Sequence, residues 1–81
     1  MNASIPLTQL RSGQSATILG FRPDIPPQCR KLLQHLGIHR QTAITLIRRA
    51  PLGDPLQLQV LGSQFSLRSS EACHIYVEYS N

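Results

Sequence analysis

The segment Leu56–Val60 alternates strictly between apolar and polar side chains and constrains the fold more than any other part of the sequence. A period of two places its three apolar side chains on one face of a β-strand and its two glutamines on the other. Ala43–Arg49 has the same period, and the six residues between the two segments, Ala50 to Pro55, are rich in turn formers. The two segments are therefore predicted to form a β-hairpin with one buried face.

Five segments favour β-strands through alternation or through their content of strand-forming residues. They are Ser15–Phe21, Ala43–Arg49, Leu56–Val60, Gln64–Arg68 and His74–Tyr79. Gly20 lies inside the first segment, where a missing side chain predicts a bulge or a tight bend. Gly62-Ser63 is expected to form the turn before the fourth strand. Ser69–Ala72 is expected to form one helical turn before the fifth strand, with Ser69 as its cap.

One amphipathic helix is predicted between the first and second of these strands. Its apolar stripe recurs at i, i+3, i+4 and i+7 and consists of Cys29, Leu32, Leu33 and Leu36. Pro26-Pro27 suits the helix start because the fixed φ angles of proline fit a first turn. Gly37 can adopt the left-handed conformation that ends a helix, with Ile38 packing back on Leu33.

These elements predict a mainly β fold: a small five-stranded SH3-like barrel with one amphipathic α-helix between strands 1 and 2. An OB-fold is the alternative, because it also has five strands and one helix. Its helix usually lies between the third and fourth strands, however, and these are joined here only by Gly62-Ser63. With 81 residues the chain has the length of one small domain, so residues 1–81 are expected to form a single unit.

The sequence contains no glycine-rich phosphate-binding loop, no zinc-protease helix motif and no nucleophile elbow. Acid–base catalysis would need two carboxylates held together, but the acidic residues are predicted at a helix start, in turns and on polar strand faces. These residues are Asp24, Asp54, Glu71 and Glu78. The protein is therefore not expected to be an enzyme.

A secretory leader and an apolar run of about 18 residues are both absent from the sequence. The two cysteines, Cys29 and Cys73, are too few and too far apart in sequence for a disulfide framework. We therefore expect a cytoplasmic protein that does not span a membrane.

Candidate metal ligands cluster near the start of the last predicted strand, where Glu71, Cys73 and His74 are close in sequence. Adjacent residues of a strand point to opposite faces, so Cys73 and His74 could share an ion only if the strand bends there. No closed set of four zinc ligands can be recognised, and no motif requires a cofactor. Fe(II) or Zn(II) binding stays open as an alternative function, including an ion held by histidine between two copies of the chain.

The formal net charge of +4 favours an acidic partner, a nucleic acid or an anionic membrane. Binding of single-stranded nucleic acid would need aromatic side chains interleaved with the basic ones. Only four aromatic residues are present, and neither a helix-turn-helix nor a zinc finger can be recognised. Nucleic-acid binding is therefore the least favoured alternative, and no nucleic acid is expected among the partners.

The turn between the hairpin strands and its flanks resemble the ferrous iron transport protein A family, FeoA. The residues that carry the resemblance are Arg49-Ala50-Pro51-Leu52-Gly53-Asp54-Pro55-Leu56, Val60, Gly62, Leu67-Arg68 and Glu71-Ala72, with Leu7, Leu10, Gly13-Gln14, Lys31-Leu32-Leu33 and Leu36-Gly37-Ile38 before them. Gln41 departs from the pattern, because the family commonly has Gly in the turn after the helix. The departure concerns the geometry of that turn.

The resemblance implies a cytoplasmic SH3-like domain that supports ferrous iron uptake by FeoB, a membrane transporter with a cytoplasmic GTPase domain. The implied role is accessory and non-enzymatic, and the family provides no agreed iron-binding motif. The same fold also resembles the C-terminal domain of iron-dependent repressors.

A small barrel offers an exposed strand edge and a groove beside its helix, both suited to docking a peptide or a partner loop. We expect the Pro51–Pro55 loop and the adjoining helix surface to contact a cytoplasmic part of the transporter. The residues assigned to this contact are Leu52, Gly53, Asp54, Arg49, Arg30 and Lys31. The alternative is that the turn residues only build the hairpin while Leu52 covers the end of the barrel. Whether the chain forms a homodimer stays open.

Overall fold

The computed structural model describes residues 2–80, which form six β-strands, two α-helices and one 3₁₀ turn. The strands are β1 (Asn2–Pro6), β2 (Ser15–Phe21), β3 (Ala43–Arg49), β4 (Leu56–Val60), β5 (Ser63–Leu67) and β6 (Ile75–Ser80). The helices are α1 (Pro27–His35) and α2 (Ser69–Ala72), and the 3₁₀ turn is Leu7–Gln9. The expected mainly β class, with its one longer helix between the strands now called β2 and β3, is confirmed.

The six described strands form one antiparallel sheet in the order β1-β6-β2-β3-β4-β5. Two register shifts bend it, one between Ile18 and Gly20 in β2 and one between Leu46 and Arg48 in β3. The first is the bulge predicted from Gly20. Because a bulge adds a residue to one strand of a pair, it bends and twists that strand, which lets the sheet curve around a core.

The core lies on the concave face of the sheet, and every fully buried side chain of the described residues is apolar. The alternating segments supply most of it, as predicted from the period of two. The buried residues are Leu7, Leu10, Ala16, Ile18, Leu33, Ile38, Ile44, Leu46, Leu56, Leu58, Val60, Leu67, Ala72, Ile75 and Val77. At about 25 cal/mol per Å² of buried apolar surface, this cluster is the main stabilising contribution.

Strand β1 is the main correction to the predicted fold, because five strands were expected and the described residues form six. Only Ile5 in β1 is a strong strand former, and Pro6 argues against a strand. Its strand conformation comes from pairing with β6, in which Ile5 lies opposite Val77. Since β1 is at the edge of the sheet, Pro6 can lack a donor there without disturbing a central ladder.

Two smaller corrections concern the last hairpin and the short helix. The hairpin turn is Leu61-Gly62, with φ of +51° and +83°, so Ser63 already belongs to β5. Two positive φ angles fit the two-residue turns that match the twist of a hairpin. At α2, the backbone N–H of Arg68 is capped by the Glu71 carboxylate at 3.1 Å, and Ser69 does not serve as the cap.

Helix α1 ends as predicted. Gly37 has φ of +89°, and the N–H of Ile38 donates to the carbonyl oxygen of Leu33 at 3.0 Å, the long bond of a Schellman motif. The apolar stripe is only partly buried: Leu33 is in the core, whereas Leu32 is 43% exposed and does not belong to it. Neither α1 nor α2 is long and apolar enough to cross a membrane.

Candidate protein-binding surfaces

The loop between β3 and β4, residues 50–55, is closed by its own backbone. The N–H of Gly53 donates to the carbonyl of Ala50 at 2.7 Å, and the N–H of Ala50 donates to the carbonyl of Pro55 at 3.0 Å. Gly53 has φ of +91°, which only glycine adopts without strain. The Leu52 side chain at the tip is 97% exposed, so the alternative that it covers the end of the barrel is wrong.

Asp54 ties this loop to the start of α2. Its Oδ1 accepts hydrogen bonds from the backbone N–H of Ser69 at 2.7 Å and from the Ser69 hydroxyl at 2.8 Å. These two bonds, together with the positive charge of Arg68, lower the pKa of the Asp54 carboxyl. Ser69, predicted as a helix cap, is therefore the anchor for the loop instead.

The three predicted cations occupy different environments. Arg49 is half-buried, and its Nη2 donates to the carbonyl oxygens of Thr8 and Leu10, so it binds the 3₁₀ turn rather than facing a partner. Arg30 lies over the ring of Phe21, with its guanidinium carbon 5.8 Å from the ring centroid. Lys31 is exposed on α1.

Helix α2 links the loop to α1. Its first residue binds Asp54. Near its other end, burial raises the pKa of the Cys29 thiol of α1, and the charges of Glu71 and Cys73 add to the rise. The predicted contact residues thus divide between the exposed loop and α1, whereas Arg49 binds the 3₁₀ turn.

The predicted metal ligands do not form a preassembled site. The Glu71 carboxylate turns back to the N–H of Arg68, while Sγ of Cys73 donates to the carbonyl of Ser70 at 3.3 Å. The side chains of Cys73 and His74 are in contact, with 3.7 Å between Sγ and Nδ1. Across residues 2–80, no three side chains of His, Cys, Asp or Glu are placed to hold one ion.

A groove of about 760 Å³ lies between the end of β2, the loop that follows it and α1. Its volume is in the range of ligand-binding clefts. Its lining is mostly apolar with three arginines and no acidic residue: Leu19, Gly20, Phe21, Arg22, Pro23, Ile25, Pro27, Arg30, Gln34, Ile38, His39 and Arg40. The groove beside the helix was expected for this fold, but of its residues only Arg30 was assigned to a contact from the sequence.

Comparison with known proteins identifies the family. The FeoA domain model matches residues 5–79, nearly the whole chain. The chain belongs to the FeoA family. The family predicted from the turn residues is thereby confirmed, and with it the connection to ferrous iron transport.

Solved structures similar to this FeoA protein agree with the assignment. An FeoA-like protein from Clostridium acetobutylicum is 34% identical, with a TM-score of 0.83 over 95% of this chain and 87% of the other. The FeoA of Stenotrophomonas maltophilia, solved with zinc, is 25% identical, with a TM-score of 0.78 over 90% of this chain and 93% of the other. It is described as an SH3 domain protein, which supports the predicted SH3-like class, and as a suggested ferrous iron transport activating factor.

The same fold occurs in a manganese-dependent transcriptional repressor, which is 19% identical with a TM-score of 0.83. The match covers 95% of this chain but only 42% of the repressor. At this identity the likeness concerns the fold alone. From the sequence, the fold was expected to resemble the C-terminal domain of iron-dependent repressors, and the repressor found here depends on manganese instead.

The groove residues that the sequence did not single out come from three places in the chain. Leu19 lies in the β2 bulge, Ile25 lies in the loop before α1, and Arg40 lies after the helix stop. No periodicity connects these positions, so only the folded chain brings them together. The sequence pointed to this region only through Arg30 and the groove expected beside the helix, and the contact of Arg30 with Phe21 is seen only in the folded chain.

Proposed function

We propose that this FeoA protein is a cytoplasmic accessory protein of ferrous iron uptake that binds the cytoplasmic part of a FeoB-type transporter through its β3–β4 loop. The observation that carries the proposal is Leu52, an apolar side chain that is 97% exposed at the tip of a braced loop. When a partner covers such a side chain, burial of its apolar surface stabilises the complex by about 1.5–3 kcal/mol if the burial is complete.

The hydrogen bonds that hold the β3–β4 loop in one conformation support this role. Two backbone hydrogen bonds and the Asp54–Ser69 contacts hold the loop in place before any partner arrives. A preorganised loop loses less conformational entropy on binding, so more of the burial free energy appears as affinity. Binding residues are also found disproportionately on loops that a rigid scaffold holds in position.

We further propose that the protein acts by binding and not by catalysis. Three of its carboxylates already have structural partners: Asp24 pairs with Arg22 at 3.2 Å, Asp54 accepts from Ser69, and Glu71 accepts from the N–H of Arg68. The description of the S. maltophilia relative as an activating factor agrees with an accessory role.

Replacing Leu52 by Asp tests the loop. Binding of the purified protein to the GTPase domain and to the membrane part of the transporter would be measured separately, at low and at physiological salt. The L52D variant is expected to bind about tenfold or more weakly, because burial of an apolar side chain is lost and a charge is placed in the interface. Its free energy of unfolding should stay within about 0.5 kcal/mol of the original, because Leu52 touches no core.

Leu61→Asp is the matched control, since Leu61 is also a highly exposed leucine, at 85%, but lies in the turn at the other end of β4. It should leave binding unchanged. Unaltered binding by L52D, or the absence of binding to both parts of the transporter, would contradict the proposal.

Metal binding is the second candidate function, favoured by the contact between Cys73 and His74 and by the zinc complex of the S. maltophilia relative. A thiol and an imidazole are suitable ligands for Zn(II) and for Fe(II). Among residues 2–80, no third His, Cys, Asp or Glu side chain is placed to bind an ion together with this pair. We therefore propose that an ion held here would take its other ligands from a second copy of the chain.

A further inference from the structure

The groove between β2 and α1 combines an apolar floor with a cationic rim. Phe21 and Ile25 contribute partly exposed apolar side chains to it, and Ile38, which also lines it, is fully buried in the core. Arg30 and Arg40 line the same groove, and no carboxylate belongs to its lining.

The cationic rim has no carboxylate beside it in the lining of the groove. Arg22 pairs with Asp24 at 3.2 Å, so the charge of Arg22 is balanced locally. Arg30 is held over the Phe21 ring by a cation–π contact, which fixes the direction of its guanidinium group. Arg30 and Arg40 therefore present positive charge on two sides of an apolar floor.

One wall of the groove is an unpaired strand edge. The pairing of β2 with β3 ends at Thr17, opposite Ala43, and the last backbone bonds across the gap join Ile18 to residues 41 and 42. From there to Phe21, β2 is paired only with β6, on its other side. Its free side over residues 19–21 lines the groove, so an extended segment has a backbone edge with which to pair.

We propose that this groove binds an extended acidic peptide segment that carries a bulky apolar side chain. The segment adds as a short strand beside residues 19–21, its apolar side chain enters the floor near Ile25 and Ile38, and its carboxylates pair with Arg30 and Arg40. Charge complementarity with this rim selects acidic partners over basic ones. The site is separate from the β3–β4 loop, and its occupant is a different segment from the one that covers Leu52.

The test uses the full chain, labelled with ¹⁵N, and the synthetic peptide Asp-Asp-Leu-Asp-Asp with blocked ends. Titration should give saturable NMR shift changes concentrated in residues 19–40, and the shift changes should weaken as salt is raised. The same peptide with Lys in place of Asp should give none. A peptide with Ser in place of Leu should bind more weakly, and so should one with an N-methylated leucine, which cannot donate to a strand edge.

The variant with Arg30→Glu and Arg40→Glu should lose about tenfold or more in affinity for the acidic peptide. Its matched control carries Arg11→Glu and Arg48→Glu, an equal change in net charge at exposed positions outside the groove, and should keep its affinity. L52D should also keep it, which separates failure of this site from failure of the loop. Equal losses in both double variants, shift changes that map to the β3–β4 loop, or no shift changes at millimolar peptide would overturn the proposal.

Discussion

Gln41 adopts a left-handed backbone conformation, with φ of +70°, in the turn that leads into β3. Its N–H donates to the carbonyl of Ile18 at 2.8 Å, and the carbonyl of Thr42 accepts from the N–H of Ile18 at 2.8 Å. Two consecutive residues of the turn, Gln41 and Thr42, are therefore hydrogen-bonded to Ile18 of β2. The FeoA resemblance suggested glycine at this position, and the positive φ explains why glycine fits it better than a residue with a Cβ atom.

Gln41→Gly is expected to stabilise the protein by about 0.5–1 kcal/mol, because relief of the left-handed strain exceeds the extra chain entropy of glycine in the unfolded state. Urea unfolding at neutral pH measures the difference. Gln41→Ala is the control: it removes the same exposed side chain but keeps the Cβ atom, so its stability should stay within about 0.5 kcal/mol of the original. A glycine variant less stable than the alanine variant would contradict the explanation.

Asp54 makes a stabilising contribution that depends on pH. Its carboxyl has a lowered pKa in the folded state, whereas in the unfolded chain it titrates near 3.8. A lowered folded-state pKa stabilises the fold at neutral pH, and the stabilisation is lost as the pH falls below about 4 toward the folded-state pKa. Asp54→Asn keeps an oxygen acceptor for Ser69 but cannot titrate.

Between about pH 5 and about pH 2, the range in which carboxyl groups titrate, the melting temperature of D54N should therefore fall less steeply than that of the original protein. Thermal unfolding followed by circular dichroism across this range is the measurement. Asp24→Asn, which removes the carboxylate of an exposed ion pair, is the control. Because it keeps the Asp54–Ser69 contact, its melting temperature should fall with pH as steeply as that of the original protein. Parallel curves for D54N and the original protein would show that the Ser69 contacts contribute no pH dependence.

At the scale of elements, Arg49 connects two parts of the chain that share no sheet pairing. It is on β3, whereas the carbonyls of Thr8 and Leu10 that it binds belong to the 3₁₀ turn and the residue after it. The turn also buries Leu7 and Leu10 in the core. From the sequence, Arg49 at the end of β3 was assigned to a partner contact, whereas the folded chain shows that it binds the 3₁₀ turn.

Arg49→Met should destabilise the protein by about 1–3 kcal/mol, because it leaves two carbonyl groups without their donor while keeping most of the side-chain volume. Arg48→Met is the matched control on the same strand, since the exposed Arg48 donates a hydrogen bond to the side chain of Gln57 and not to a backbone carbonyl. We expect it to stay within about 0.5 kcal/mol of the original in urea unfolding. Equal effects of the two changes would mean that Arg49 does not hold the turn.

At the scale of the whole molecule, local patterns predicted the elements whose periodicity is strong. Leu56–Val60 and the Gly37 helix stop are examples, because alternation and a left-handed cap are encoded by a few neighbouring residues. Strand β1 and the groove could not be predicted in this way. Ile5 becomes part of a strand through residues at the far end of the chain, and Leu19 and Arg40 become neighbours only after β2 bends at its bulge.

The proposed metal site predicts a change in the size of the molecule. If two copies share an ion through Cys73 and His74, Zn(II) should raise the sedimentation coefficient toward that of a dimer, and a chelator should reverse the change. His74→Ala should abolish this response. His35→Ala, at an exposed histidine of α1, should not. A zinc response that survives His74→Ala would place the ion elsewhere.

The position of β6 has a consequence for how the protein is made. It lies between β1 and β2, yet of the described strands it is the last that a ribosome produces. The β2-β3-β4-β5 meander joins strands that follow one another in sequence and can form while synthesis continues. In contrast, β1 and the other edge of β2 have no partner until β6 is made. Until then the apolar faces of Ile5 and Ile18 lack their cover, so the nascent chain is exposed to aggregation during this interval.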